Sequence, residues 1–152
     1  MPPIRVLIAD ADPAFHSQMR QVCQEDDDLV VVGETADGQE TVQAVCALHP
    51  DILLMDVDLP AIDAIQVTRL VSTLATRVIL LTAQPKKEGV LQAIQAGASG
   101  YLKKGIDGPK LAHIICVVYQ GGAFIDSLVT ANVLEEFRHH LLEQHNNQLE
   151  QW

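Results

Sequence analysis

Short apolar runs alternate with longer amphipathic stretches through most of the chain. Five runs read as strands: Ile4–Ala9, Leu29–Gly33, Asp51–Met55, Arg77–Leu81 and a brief one at Gly100–Lys103. They are rich in Val, Ile and Leu, and each is followed by a segment of helical period, which predicts repeated βα units. Such units build a parallel sheet covered by helices. The helices carry their own boundaries. Asp12-Pro13 reads as an N-cap followed by proline in the first turn, and Asp107-Gly-Pro109 opens the fifth helix in the same way. Asp37-Gly-Gln-Glu40 and Asp63-Ala-Ile-Gln66 are capping-box patterns. Gly97 fits a left-handed stop after the fourth helix, and His49-Pro50 closes the second.

Past Gln120-Gly-Gly122 the alternation ends. Apolar residues at Val129, Val133, Leu134, Phe137, Leu141 and Leu142 predict a sixth helix within Ser127–Leu149, packing on the domain or on a partner, with a homodimer as one use of it. Residues 1–122 then form one domain and 123–152 a linker with a C-terminal helix, whose polar end, Glu143–Trp152, is expected to fray.

Composition narrows the choice of partners. Apolar residues make up 48% of the chain and aromatics only 4%, so the core must be aliphatic. A net charge of −10 argues against nucleic acid as a direct partner, because phosphate binding needs a basic face. No apolar run is long enough to span a membrane, and the start lacks the apolar core of a signal peptide, so a cytoplasmic location is expected. Cys23, Cys46 and Cys116 are far apart and read as small buried residues in a reducing compartment. The six histidines form no ligand set and are expected on the solvated surface.

In an open parallel sheet, side chains that act together sit at the carboxyl ends of strands. Four such ends carry reactive groups here: Asp10 after the first strand, Asp56 after the third, Thr82 after the fourth and Lys104 after the fifth. One acid would mean little; two acids, a hydroxyl and an ammonium at matched ends form a set.

The segments around these residues are Arg5-Val-Leu-Ile-Ala-Asp10, Asp51-Ile-Leu-Leu-Met-Asp-Val-Asp-Leu-Pro60, Leu80-Leu-Thr-Ala83 and Ala96-Gly-Ala-Ser-Gly-Tyr-Leu-Lys-Lys104. In order and spacing they resemble the response-regulator receiver (CheY-like) domain of two-component signalling, from about Ile4 to Gly121. Ala-Asp-x-x-Pro-x-Phe early and Gly-Tyr-Leu-x-Lys late are most similar to the LuxR/NarL-type subgroup, and Thr82 through Lys104 is also close to the chemotaxis receivers. The resemblance implies a flavodoxin-like, doubly wound α/β fold with five parallel strands in the order 2-1-3-4-5, helices on both faces and an extra C-terminal helix. It implies a phospho-acceptor switch, possessing no metabolic activity beyond self-catalysed phosphoryl transfer and dephosphorylation, as in the N-terminal part of a transcriptional regulator. Asp56 would take a phosphoryl group from the phosphohistidine of a sensor histidine kinase. Asp10, Asp56 and the backbone carbonyl of Asp58 would hold magnesium. Thr82 and Lys104 would bind phosphoryl oxygens, and Tyr101 would swing inward when Thr82 moves.

Charge supports that division of labour. A dianionic phosphoryl group is repelled by paired carboxylates, and a hard cation with a nearby ammonium offsets this. At ~4 Å each unit charge matters by about 4 kcal/mol at an effective dielectric near 20. Ala83 leaves room above the phosphoryl group for solvent. A nucleotide-binding enzyme of the same topology would need a glycine- or hydroxyl-rich loop after the first strand, and Asp10-Ala-Asp-Pro13 is acidic instead.

The family pattern breaks in one place that matters. Two adjacent acids normally follow the first strand, the second binding the metal directly; here Ala11 takes that second place. Asp12 is a ready N-cap and also the one nearby acid able to substitute in part. The expectation is weak magnesium binding. The alternative function is an interaction or dimerisation module that no longer needs phosphate. Ala61 and Ala64 also stand where glycines are common.

Overall fold

Strands and helices alternate through the chain in the order that the apolar pattern predicts. The computed structural model describes residues 2–125, together with 135, 138, 139 and 141–143. The strands are β1 (Ile4–Ala9), β2 (Leu29–Thr35), β3 (Ile52–Asp56), β4 (Arg77–Thr82), β5 (Gly100–Lys103) and β6 (Phe124–Ile125). The helices are α1 (Pro13–Gln24), α2 (Gly38–Leu48), α3 (Ala64–Val71), α4 (Lys87–Ala96) and α5 (Gly108–Tyr119). All six strands are parallel in one sheet of order β2-β1-β3-β4-β5-β6. The expected order is therefore present and extended by one strand. β6 pairs with β5 through Gly100–Phe124 and Tyr101–Ile125, in the segment read from sequence as linker. Two apolar residues are too short a run for a periodicity argument to detect. The sixth helix expected within Ser127–Leu149 falls mostly outside the described residues; those described there, such as Leu141 and Leu142, are helical and exposed.

Side-chain alternation along each strand separates two aliphatic cores. Val6, Ile8, Ile52, Leu54, Ile79, Leu81 and Leu102 face α1 and α5. Leu7, Leu53, Met55, Val78 and Leu80 face α2, α3 and α4. The caps hold α1, α2, α3 and α5 where their sequences place them. Asp12, Asp37, Asp63 and Asp107 each accept a hydrogen bond from a backbone amide in the first turn of the following helix. In the second helix the box closes differently from the expected pattern: Glu40 accepts from the Ala36 amide at 3.0 Å, one residue before the cap. Gly97 ends α4 at φ 105°, and His49 ends α2 in the left-handed region at φ 48°.

Two expectations about burial need correction. Cys23 is buried and Cys116 half-buried, but Cys46 is exposed on the outer face of α2. Burial and the nearby Asp26 carboxylate push the Cys23 thiol up to about 11, so it stays protonated. His16 is buried rather than solvated. It lies on the same side of α1 as Phe15 and Met19, toward the sheet.

The loop after β3 crosses the first turn of α2. Gly38 donates its N–H to the Pro60 carbonyl at 2.9 Å, and a Cβ at Gly38 would stand 2.3 Å from the Ile62 carbonyl oxygen. That close approach turns the chain through Ala61, which sits at φ 73°. A left-handed conformation costs an alanine about 1–2 kcal/mol, more than the extra chain entropy of glycine. Ala61→Gly is therefore expected to stabilise the fold by about 0.5–1 kcal/mol, measured as a higher urea or thermal unfolding midpoint. An unchanged or lower midpoint would mean that the loop is unstrained.

Candidate functional site

Parallel register brings four distant residues to one edge of the sheet. Ala9 pairs with Met55, Asp56 with Leu81, and Thr82 with Lys103. The ladder continues past the strand ends: Asp10 donates its N–H to Thr35, Val57 to Leu81 and Lys104 to Thr82, the last at 2.7 Å. Asp10, Asp56, Thr82 and Lys104 thus emerge together at the carboxyl edge, as sequence reasoning expects.

Lys104 joins the acids. Its Nζ donates to Asp10 Oδ2 at 2.7 Å and to Asp56 Oδ2 at 2.9 Å. The neighbouring Lys103 is exposed, and it is Lys104, the residue chosen from its spacing, that stands between the two acids. The other carboxylate oxygens are also engaged. Asp10 Oδ1 accepts from the Asp12 amide at 2.8 Å, and Asp56 Oδ1 from the Asp58 amide at 3.1 Å. Asp10 is only 1% exposed; Asp56 is half-buried and open toward solvent. Burial of Lys104 works against its charge, but hydrogen bonds and attraction from Asp10 and Asp56 outweigh this and raise its pKa above the ordinary lysine value. A raised folded-state pKa means that the stabilisation is fully present below the unfolded lysine pKa. It is lost only as pH climbs through the higher folded value.

Thr82 is buried, accepts from the Gln84 amide at 3.2 Å through Oγ1, and stands beside exposed Ala83. Tyr101 is already inward, 4% exposed. Burial raises its pKa, although hydrogen bonds to the Lys86 backbone and the Thr82 hydroxyl act the other way. A Cβ at Gly89 would stand 2.7 Å from the Tyr101 oxygen, so the absence of a side chain there makes room for the ring's inward position. Asp58, Thr82, Ala83, Gln84, Lys86 and Tyr101 line one open groove.

The donors present fit a magnesium-class cation only as a reduced set. Such an ion takes hard oxygen ligands and is commonly held by one or two carboxylates, with water and substrate phosphate completing its shell. Asp10, Asp56 and the Asp58 carbonyl are the residues that would supply that minimum. Ala11 adds no donor, and Asp12 uses its Oδ1 to cap α1 through Ala14 at 3.0 Å. Among the described residues no three His, Cys, Asp or Glu side chains come together as a metal site, so Asp12 does not complete the set.

Two residues near the site had no role in the sequence reading. His16 Nε2 donates to the Asp10 carbonyl at 2.6 Å. Phe15 lies under Lys104, its ring centroid 4.7 Å from Nζ. Both stand on the first turns of α1, and helical phase could have pointed them at the sheet; the partners, nearly ninety residues away for Lys104, could not be read locally.

Fold and strand-end arrangement together are those of a receiver module. Residues 6–116 match the response regulator receiver domain family, and the chain belongs to that family. More narrowly, it is of the LuxR/NarL type. The transcriptional regulatory protein DegU of Brevibacillus brevis is 31% identical over 89% of this chain and 58% of its own length. The uncharacterised transcriptional regulatory protein YxjL of Bacillus subtilis is 32% identical over 88% of this chain and 62% of its own. The chain therefore spans about three-fifths of the length of these curated relatives. Among solved structures, a LuxR-family response regulator from Aurantimonas sp. SI85-9A1 matches with TM-score 0.81 at 28% identity, covering 88% of this chain and 97% of that one. The signal receiver domain of the putative response regulator NarL from Mycobacterium tuberculosis matches with TM-score 0.77 at 30% identity, covering 80% and 99%. No helix among the described residues is long and apolar enough to cross a membrane.

The missing acid has a measurable consequence. Calorimetric titration should show magnesium binding weaker than about 1 mM, and Ala11→Asp should tighten it about tenfold by restoring an anionic ligand. Sub-millimolar affinity in the unmodified chain, or no gain in the variant, would contradict the reduced ligand set.

Proposed function

We propose that this chain is a phosphorylation-controlled switch whose acceptor is Asp56 and whose donor is a sensor histidine kinase. The observation that carries the reading is the Lys104 ammonium shared by Asp10 and Asp56 at the open edge of the sheet. In the transfer, an Asp56 carboxylate oxygen attacks phosphorus, the bond from phosphorus to the donor's imidazole nitrogen breaks, and an acyl phosphate results. The nitrogen leaves with the electron pair of that bond. Lys104 would follow the phosphoryl oxygens as charge moves onto Asp56, and the Thr82 hydroxyl would donate to another. A cation bound by Asp10, Asp56 and the Asp58 carbonyl would neutralise further phosphoryl charge.

The readout begins at Thr82. If its hydroxyl turns to the phosphoryl group, its hydrogen bond to Tyr101 weakens, and the aromatic ring and the β5 edge respond. Phosphorylation would then shift a two-state population through a local bond exchange. Such a chain regulates rather than carries out metabolic chemistry, and the longer relatives that are transcriptional regulators suggest a DNA-directed output in the whole protein.

The substitution at position 11 favours a second reading, in which partner binding replaces phosphate as the signal. Incubation with a small phosphodonor and magnesium separates the two. An added mass of about 80 Da, absent in Asp56→Ala, is expected for a phospho-acceptor. A folded chain that gains no such mass from either a small donor or a kinase would be an interaction module instead.

A further inference from the structure

We propose that Phe15 is a positioning residue for Lys104, fixing with its ring face where the ammonium stands between Asp10 and Asp56. The kinetic consequence rests on the phospho-acceptor reading above; the positioning itself does not.

Lys104 lies just past β5, before Gly105, and its backbone is anchored by the N–H donated to Thr82. Its side chain must still cross to the ends of β1 and β3. A lysine stem is flexible and its ammonium is a nearly spherical charge, so two carboxylates alone leave the stem free to approach them from several directions. Phe15 removes that freedom. Its centroid is 4.7 Å from Nζ, inside the range of about 6 Å over which an aromatic face attracts a cation.

The ring is itself held firmly. Phe15 is 7% exposed and belongs to the core between the sheet and α1 and α5. Its backbone is set by the helix cap, the Phe15 amide donating to the Asp12 carbonyl at 3.2 Å. The Lys104 ammonium therefore rests against a rigid surface on one side and two carboxylates on others. An alkyl side chain of similar size would fill the volume but strip water from the ammonium and give nothing back. The negative face of a ring compensates. The requirement is thus for an aromatic residue, beyond bulk alone. Ala11 sharpens it: with one acid missing from the cation site, Lys104 carries more of the neutralising charge, and its position matters correspondingly more.

The test compares Phe15→Leu, which keeps the bulk, with Phe15→Tyr, which keeps the ring face. Side-chain NMR of the full chain reads position directly, because protons next to the Lys104 ammonium shift upfield over an aromatic ring. The rate of Asp56 labelling by a small phosphodonor with magnesium reads function, and thermal unfolding reports integrity. The upfield shift is expected in the unmodified chain and in Phe15→Tyr, and lost in Phe15→Leu. Labelling should slow about three- to tenfold in Phe15→Leu and stay within about twofold in Phe15→Tyr, both variants remaining folded. If Phe15→Leu does not fold, Phe15→Met takes its place. Unshifted Lys104 protons in the unmodified chain, a leucine variant labelled at the original rate, or a tyrosine variant as slow as the leucine one would each overturn the proposal. If the unmodified chain is not labelled at all, the phospho-acceptor reading fails, and the NMR comparison still decides the placement of Lys104.

Discussion

One ammonium between two carboxylates organises this molecule's functional edge. Asp10 and Asp56 leave neighbouring parallel strands side by side, and two negative charges so placed repel each other in a partly desolvated setting. Lys104 reaches them from the far side of β4 and turns repulsion into two short charge-assisted hydrogen bonds. The sheet order makes this inevitable: β1, β3, β4 and β5 are adjacent, so the residues after them share an edge whatever their distance in sequence. The rest of the site hangs on that contact. Thr82 gives the Lys104 backbone its anchor, and the turns after β1 and β3 donate amides to the free oxygens of the two acids.

The fold was legible in the sequence because its signals are local and redundant. Strand runs, caps at Asp12, Asp37, Asp63 and Asp107, and the stop at Gly97 each depend on a few adjacent residues. The four site residues were legible for a related reason: a strand end can be located, and parallel strands align their ends. What stayed hidden was either too short or too distant. β6 is two residues long. His16 and Phe15 look like ordinary residues of an amphipathic helix, and only the folded chain brings them to Asp10 and Lys104. The inward Tyr101 depends on space at Gly89, twelve residues earlier on another element.

The departure at Ala11 shows how one substitution changes the demands on its neighbours. The acid next along, Asp12, is already used to start α1, and that cap also places the helix turn carrying Phe15 and His16. Turning Asp12 toward a cation would remove the cap that orders this turn. The same few residues therefore trade cation affinity against the precision with which α1 supports Asp10 and Lys104. A site so arranged leans on its own ammonium more than one with a full set of acids does.

The most direct measurement is unfolding stability of the chain and of Lys104→Met, each with and without magnesium. Without the metal, the variant should be less stable by about 1–3 kcal/mol, because partly buried acids lose their shared partner. Added magnesium should restore much of that difference in the variant while scarcely moving the unmodified chain, since the ammonium no longer competes for the same oxygens. Equal stability of the two chains without metal, or an equal response to magnesium, would contradict the view that Lys104 holds the site together.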